Sequence, residues 1–485
     1  MVTDNAQPTP GPSERVAPPP ESPSAFQEMR SFLILWIGQF VSILGTSLGS
    51  FSLGVWVFEK TGSATPFAMI AVIAGVAMLV LAPVAGALAD RWDRRNIMLF
   101  SNVGSAVMTV GLASLMFTGR LEIWHVYPFI VAMVSLGALQ GPALTASISL
   151  LVPRRHLARA AGMSQMSRAS AQIIGPFAAG LLVAAIGYHG VIYIDCATFL
   201  FAAATLLLVR IPSPQRPQAA GHPGAASPSG APAANPGRRS MFGDLAQGWV
   251  YIRERPGLLA LLSMYALTNF CMGMVQVLLT PLILSFATPV ELGSVNSAAA
   301  AGVLLGGLTL SLWGGPRNRV WLIFAALLFQ GCVLFLGGVE PSIPLIALAA
   351  FGFMFTSPFV SGSNQAIFQS KVAPEIQGRV FGMAAFIVAC TIPLASALAG
   401  PVVDRVFQPM LSPGGALADT FVGSLIGVGP GRGAGLLFVV VGVLVIVIVS
   451  LAFLNPRLRR VETELPDAVV ASQPEPPPAP ELQNA

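Results

Sequence analysis

Residues Gly86–Arg95 read GALADRWDRR and separate two long apolar runs, Pro66–Ala89 and Ile97–Phe117. A helix needs about 20 mostly apolar residues to cross the hydrocarbon core of a bilayer, and both runs meet that length. A short, strongly charged turn between two such runs predicts a helical hairpin whose loop lies at a membrane surface. This segment therefore predicts a bundle of membrane-spanning helices, and the rest of the chain can be tested against that expectation.

The same pattern of apolar runs continues along the chain and predicts twelve spans. They are Phe32–Val57, Pro66–Ala89, Ile97–Phe117, Val126–Val152, Ala161–Ile186, Val191–Val209, Leu258–Phe286, Ser294–Gly314, Val320–Gly338, Ile343–Ser370, Val380–Val403 and Ala434–Leu454. Charged residues make up only 10% of the 485, against about 25% in soluble domains, whereas hydrophobic residues make up 54%. This composition excludes a soluble protein and predicts an all-α membrane protein.

The positions of the basic residues predict the orientation. Of the 26 Lys and Arg residues, 21 fall in the tails and in the loops that follow even-numbered spans. The loops that follow odd-numbered spans hold four: Lys60, Arg120, Arg405 and Arg432. Basic residues concentrate on the cytoplasmic side of membrane proteins. We therefore expect a multi-pass protein of the cytoplasmic (inner) membrane with both termini in the cytoplasm.

Composition also divides the chain into regions. Both ends and the segment between spans 6 and 7 are rich in Pro, Ser, Gly and Ala, a composition typical of disorder. Between residues 241 and 255, apolar side chains recur at helical spacing, which predicts an amphipathic helix at the cytoplasmic surface. The predicted regions are a disordered N-tail (1–30), a six-helix half (31–210), a linker carrying that helix (211–256), a second six-helix half (257–456) and a disordered C-tail (457–485).

The two halves resemble each other at an offset of 220 residues. Arg159 and Gly162 align with Arg379 and Gly382, in each case just before a span. Because six is an even number of spans, the halves share one orientation, which makes a parallel repeat. Parallel repeats of this kind build transporters with a cavity between the halves.

The charged turn carries the first motif. Gly86 permits close helix contact, Asp90 ends a helix, and the arginines can pair with Asp90 and Asp93 or with anionic lipid. An ordinary charged turn is the alternative. The turn resembles the signature loop of the major facilitator superfamily, with Asp93 where that family has a glycine. The resemblance implies that Asp90 helps to lock the two halves together on the cytoplasmic side. The predicted lock-loop residues are Gly86, Asp90, Arg91, Asp93, Arg94 and Arg95.

Span 5 carries a second pattern of small residues, bent by a proline. It is similar to the antiporter motif of the same family, with two Gly→Ala changes, and the resemblance implies an exporter. Ordinary small-residue packing is the alternative. The residues that carry the pattern are Gly162, Ala171, Gly175, Pro176 and Gly180.

The resemblance extends from Arg30 to Arg460, and the opening segment Trp36–Gly45 is most similar to the macrolide-efflux and enterobactin-exporter branch. It implies proton-coupled efflux of drugs or amphipathic metabolites by alternating access. The expected partners are a small-molecule substrate and the lipid bilayer, with no nucleic acid; the expected state is a monomer, and no cofactor beyond the proton gradient is expected. Gly137 stands where drug–proton antiporters often have an arginine, which puts the usual proton-coupling residue in doubt. An uptake permease or facilitator for a small organic solute is the alternative.

Ionisable residues inside spans are costly and therefore functional candidates. Asp195 in span 6 and Arg168 in span 5 are predicted to lie too far apart for an ion pair, and Asp195 can carry a proton or be hydrogen-bonded to neighbouring helices. Asp404 lies at the outer end of span 11 with the same spacing to Gly400 as Asp90 has to Gly86. We expect Asp404 to form an outer-face pair or a helix cap, and an external gate is the alternative.

The central cavity is expected to be lined by spans 1, 4, 7 and 10, as the family resemblance implies. No charge lies in the middle of these spans, which favours a large, amphipathic, weakly charged ligand. The cavity candidates are the polar residues of these spans: Gln39, Gln140, Asn269, Gln276, Asn364 and Gln365.

Other functional classes find little support in the sequence. The four histidines lie in loops or at span ends, the four cysteines lie inside apolar runs, and neither set has metal-ligand spacing. No nucleophile with a base is visible, and no phosphate-binding loop of the G-x4-GK-[ST] type occurs. We therefore expect no catalytic and no metal site, and neither an enzyme nor an ATP-driven pump; the two-half repeat argues against a channel.

Overall fold

The computed structural model describes residues 29–209, 241–316 and 318–464, and every regular element in these ranges is helical. The predicted all-α class is thus confirmed. The predicted disorder of residues 1–28, 211–237 and 465–485 concerns parts of the chain that lie outside the described residues.

Five helices form the N-terminal half, each long and apolar enough to cross a membrane. Their length follows from uninterrupted apolar sequence, and most of them begin or end at a polar residue or glycine that cannot continue the pattern. They are α1 (Arg30–Thr61), α2 (Ala64–Arg91), α3 (Arg94–Phe117), α4 (Ile123–Leu151) and α5 (Leu157–Leu208).

α5 contains two of the predicted spans because the chain reverses direction inside it at Gly187. This residue has φ 70° and ψ 177°, a conformation that is essentially restricted to glycine. The first arm of α5 (residues 157–186) and the second arm (residues 188–208) therefore follow each other without an intervening loop.

Both arms pack along α1, and their contacts show the reversal. In the first arm, Met163 packs near Phe32, and further along the carbonyl of Ala171 accepts a hydrogen bond from Ser47, so this arm runs parallel to α1. In the second arm the order is opposite, because residue 195 lies at Gly49 and residue 205 at Gly38. The six spans of this half are confirmed, with spans 5 and 6 joined in one helix.

The chain continues with the surface helix α6 of the linker and then with five membrane-length helices of the C-terminal half. They are α6 (Met241–Arg253), α7 (Pro256–Leu284), α8 (Pro289–Trp313), α9 (Arg319–Val339), α10 (Ile343–Lys371) and α11 (Pro374–Val402). A π-helical turn, Val403–Phe407, continues α11 into the short helices α12 (Gln408–Met410) and α13 (Phe421–Ile426). The last span is α14 (Arg432–Leu454).

One predicted boundary is wrong. Disorder was expected from residue 457, but residues 456–464 form two short helices, α15 (Pro456–Arg459) and α16 (Val461–Glu464). Val461 is 0% exposed because it packs against Gly257 at the start of α7, and Leu458 is also buried. Two apolar residues in a charged, Pro-rich context were too weak a pattern to predict this docking.

The predicted amphipathic helix is present as α6. Its Gly248 lies against the backbone carbonyl of Arg379 in α11, and the Arg379 guanidinium donates a 2.7 Å hydrogen bond to Gln247. Ile252 is buried, while Trp249 and Val250 remain exposed on the other side. α6 is thus held on α11 and presents an apolar face outward, as expected for a helix at a membrane surface.

The loops alternate between two ends of the bundle. We call the end that holds residues 29, 92–93, 152–156, 314–316, 372–373 and 464 the terminal end. The end that holds residues 62–63, 118–122, 187, 285–288, 340–342 and 403–431 is the distal end.

Candidate functional site

The most extensive contacts between the two halves are made by two helix pairs, and the close contacts described below lie toward the distal end. The first pair is α5 and α8. Gly293 of α8 lies so close to α5 that a Cβ built on it would stand 2.5 Å from the carbonyl oxygen of Pro176. Ser297, one turn further along α8, donates a hydrogen bond to the carbonyl of Ile173. Small residues on both helices therefore let the two halves meet backbone to backbone.

The predicted antiporter motif supplies the α5 side of this contact. Gly180 faces Pro289, and Gly175 faces Ser47 of α1, so the motif packs against both its own half and the other half. Ala171 is buried beside Ser47. Gly162, at the terminal end of the same arm, has open space where a side chain would be. The motif thus forms a contact between halves at one end of the helix and a free surface at the other.

The second pair is α2 and α11. Gly75 of α2 faces the ring of Pro393, and Gly400 of α11 lies against the backbone of Thr65. At the distal end of the pair, the carboxylate of Asp404 accepts hydrogen bonds from the backbone N–H groups of Ala64 (3.1 Å) and Thr65 (2.8 Å). The hydroxyls of Ser63 (2.5 Å) and Thr65 (2.6 Å) donate to the same carboxylate. Asp404 is therefore a helix cap, as one of the sequence expectations had it, and it caps a helix of the opposite half.

The lock loop joins α2 to α3 at the terminal end. Asp93 caps α3, because its side chain accepts hydrogen bonds from the N–H groups of Arg95 (3.0 Å) and Asn96 (3.2 Å). Arg95 reaches the last carbonyls of α5, those of Leu206 (3.3 Å) and Leu207 (3.1 Å), and a cation is favourable at such a helix end. Arg94 lies 3.5 Å from the carbonyl of Ala146 in α4. The side chains of Gly86, Asp90 and Arg91 lie outside the described residues, so the lock role of Asp90 remains a prediction.

Asp195 and Arg168, both in α5, lie beside different levels along α1. Asp195, 5% exposed, faces Gly49, and its Oδ1 atom has no hydrogen-bond partner within the part of the chain that the structure describes. Arg168 lines a small cavity of about 20 Å³ together with Gln39. Because residues 39 and 49 are ten residues apart on one helix, the two levels differ by about 15 Å. The expectation that the two side chains form no ion pair agrees with this placement.

Gln39 and Gln140 meet inside the N-terminal half. The amide of Gln140 donates to Gln39 Oε1 (2.7 Å) and to Asn102 Oδ1 (3.3 Å), and Gln39 is only 4% exposed. These amides link α1, α3 and α4. They therefore hold the N-terminal half together at this level, and they do not line the main cavity.

The main cavity has a volume of about 500 Å³ and lies largely in the C-terminal half. α7 and α10 line it, as predicted, but α1 and α4 do not; α8, α9 and the first arm of α5 take their place. α1 and α4 do not contribute because the side-chain amides of Gln39 and Gln140 are hydrogen-bonded to each other and do not face the cavity. The polar side chains that line the cavity are Gln172, Tyr265, Thr268, Asn269, Gln276, Asn296, Gln330, Ser357 and Ser361.

Asn269 and Gln276 are thus cavity residues, as predicted, whereas Asn364 and Gln365 are absent from the described lining. Gln330 was missed because α9 was not expected to reach the cavity. It is buried, and its amide donates to the carbonyl of Phe353 at 3.2 Å. A lone glutamine in the otherwise apolar run Val320–Gly338 was the available signal.

The rest of the lining is apolar and adaptable. Met272, Met354 and Phe353 supply flexible or flat surfaces, and none of the described lining residues is an Asp, Glu, Lys, Arg or His. Such a cavity can enclose an amphipathic molecule and hydrogen-bond its polar groups, but it offers no fixed counter-charge. In the part of the chain that the structure describes, no three His, Cys, Asp or Glu side chains form a metal-binding group.

Comparisons with known proteins agree with this architecture. The family model described as Major Facilitator Superfamily matches residues 35–397. Macrolide efflux protein A of Streptococcus pyogenes is 30% identical over 383 residues, which cover 77% of this chain and 90% of the relative. Multidrug efflux pump Tap of Mycolicibacterium fortuitum is 24% identical over 358 residues, covering 72% and 83% of the two chains.

Among solved structures, a bacterial homologue of the human lysosomal transporter Spinster, crystallised in an inward-facing conformation, superimposes with a TM-score of 0.65. The alignment covers 91% of this chain and 98% of that one at 14% identity. The similarity extends across both six-helix halves, and the twelve-helix fold predicted from the sequence is therefore confirmed.

Proposed function

Because the chain belongs to the Major Facilitator Superfamily and is a multi-pass membrane transporter, not an enzyme, we propose that it exports amphipathic small molecules across the cytoplasmic membrane. The observation that carries the proposal is the cavity of about 500 Å³ with uncharged polar groups on an apolar wall. Pockets of this size enclose drug-sized ligands, and flexible methionines let one wall accommodate several shapes.

The likeness to efflux proteins supports the direction of transport. A macrolide efflux protein and a multidrug efflux pump both align with most of this chain. The antiporter-type pattern of α5 supports the same direction. Macrolide-like or siderophore-like compounds, large and amphipathic, are the first substrates to test.

The distribution of basic residues supports an orientation with the terminal end and both termini in the cytoplasm. In that orientation, the closed contacts between halves lie on the outer side. The conformation is then one that receives substrate from the cytoplasm. Alternating access requires these outer contacts to break and the lock loop at the terminal end to engage the other half.

Proton exchange is the proposed driving force, and the transporter is proposed to act as a monomer without a cofactor. Asp195 is the proposed proton site because its carboxyl group is buried between α1 and the second arm of α5. The cost of burying an unpaired charge favours the protonated carboxyl here, and exposure to water in another conformation would release the proton.

The test is a compound-panel efflux assay in everted membrane vesicles, with and without an uncoupler. We expect energised vesicles to accumulate at least one macrolide or other amphipathic compound, and the uncoupler to abolish the accumulation. Accumulation that is insensitive to the uncoupler would reject proton coupling. Uptake of a small polar solute by intact cells, with no efflux of any panel compound, would favour the alternative of an uptake permease.

A further inference from the structure

The N-terminus of α2 is capped by the opposite half of the protein. Ser63 stands at the capping position with extended backbone angles, but its hydroxyl makes no cap to its own helix. The first N–H groups of a helix have no intrahelical partner and carry a partial positive charge. The Asp404 carboxylate takes two of these groups, on Ala64 and Thr65, and Ser63 itself donates to it.

We propose that Asp404 is a reversible latch that holds the distal ends of α2 and α11 together in this conformation. The proposal rests on the alternating-access transport proposed above, and it assigns the residue that closes one side. The four hydrogen bonds are charge-assisted and so stronger than neutral ones. They connect residues that are about 340 positions apart, in different halves.

The surroundings of Asp404 fit such a latch. Gly400, one turn earlier on α11, approaches the backbone of Thr65 so closely that a Cβ there would stand 2.7 Å from its Cα atom. This approach places the carboxylate within reach of the helix start. The helix pair is therefore built to bring Asp404 to α2 when the distal ends close.

The latch can open at low cost because α2 carries its own replacement cap. When Asp404 withdraws, the Ser63 hydroxyl is free to accept a hydrogen bond from the Thr65 N–H, which is the usual role of serine at this position. Pro66 at the next position has no N–H to satisfy. Opening thus replaces the Asp404 cap, which comes from the other half, with the Ser63 cap of α2 itself. Few N–H groups at the start of α2 are then left without a hydrogen-bond partner.

The same helix pair carries the same spacing at its other end. Gly86 and Asp90 lie at the terminal end of α2, Gly400 lies at the distal end of α11, and Asp404 lies in the π-helical turn that continues α11. If Asp90 acts on α11 in the opposite conformation, the two acids alternate as caps across one interface. Each conformation then has one cap formed and one released.

The experiment measures the width of the distal end directly. Spin labels are placed at Arg120→Cys and Phe421→Cys, two exposed distal positions in different halves, after the four native cysteines have been replaced. Distance distributions are recorded by double electron–electron resonance on the full chain in lipid nanodiscs. Asp404→Asn is compared with Asp419→Asn, an exposed acid at the same end.

We expect Asp404→Asn to raise the ratio of long to short distances by about tenfold, because the charge-assisted bonds are lost. Asp419→Asn should leave the distribution unchanged. Ser63→Asp is a second, independent variant: it places a carboxylate on the start of α2 that competes with Asp404 for the same N–H groups. It should also favour the long distance.

An unchanged distribution in both Asp404→Asn and Ser63→Asp would overturn the latch. If Asp404→Asn fails to yield folded protein, the result with Ser63→Asp decides. The measurement needs no substrate, so a compound panel without any transported molecule would reject the proposed function and leave the latch standing. An unchanged distance with active efflux would do the reverse.

Discussion

Gly180 in the first arm of α5 lies directly against Pro289 at the start of α8, so that a Cβ built on it would stand 2.6 Å from the Pro289 carbonyl oxygen. The contact joins the two halves of the transporter. A larger side chain has no room there unless the halves separate, because the obstacle is backbone and not a flexible side chain.

Gly180→Leu should therefore block closure of the distal end. Overpacking of a tight contact costs about 1–3 kcal/mol, which is enough to reverse a balanced conformational equilibrium. We expect a transport rate at least about tenfold lower and a longer distance between labels at positions 120 and 421. Gly111→Leu is the control, because Gly111 lies on an exposed face of α3 with open space around it. Equal effects of the two substitutions would show that the contact has no special role.

Asp90→Asn should lower transport by about fivefold or more while membrane insertion stays intact. The reason is that the carboxylate expected to lock the two halves, by meeting the N-terminus of a neighbouring helix, loses its charge. The measurement is efflux rate per inserted protein. Asp93→Ser is the comparison, since serine can still cap α3. Normal efflux by Asp90→Asn would remove its predicted lock role.

Asp195→Asn should flatten the dependence of transport on pH if Asp195 carries the coupled proton. The amide has a similar shape but cannot exchange a proton in the physiological range. Efflux is measured in vesicles at a series of internal and external pH values, with Asp93→Ser again as a variant far from the buried site. An unchanged pH profile would exclude Asp195 as the proton site.

Asn269→Leu should raise KM for a transported compound by about fivefold, the effect of losing one hydrogen bond of about 1 kcal/mol. Asn269 lines the main cavity, whereas Gln365 is exposed and lies outside its described lining. Gln365→Leu is therefore the matched control and should leave KM unchanged. The reverse result would mean that the ligand contacts the exposed side of α10 at Gln365 and does not bind in the described cavity.

Much of the fold could be predicted because the lipid bilayer restricts the backbone conformations that a spanning segment can adopt. Every backbone group must be satisfied inside its own segment, so each apolar run of the right length becomes a helix. Charged turns such as Gly86–Arg95 then give the order of the helices along the chain. The docking of Val461 on Gly257 escaped prediction because a single buried contact leaves no periodic pattern.

The site was harder to predict because the direction of a side chain depends on tertiary packing. Gln39 and Gln140 were expected in the cavity, but each is the other's hydrogen-bond partner. Gln330 is on α9, a helix that was not expected to contribute, yet it lines the cavity. The cap formed by Asp404 was foreseen only as one of several options, since its partner lies about 340 residues away.

The reversal at Gly187 has a mechanical consequence. Its two arms meet without slack, and both rest on α1, the first through Ser47 and the second through Gly49. The two arms therefore share one support, so we expect a shift of Gly180 against α8 to reach Asp195 through α1. Movement at the contact between the two halves would then be felt at the buried Asp195 carboxyl group, which is the proposed proton site.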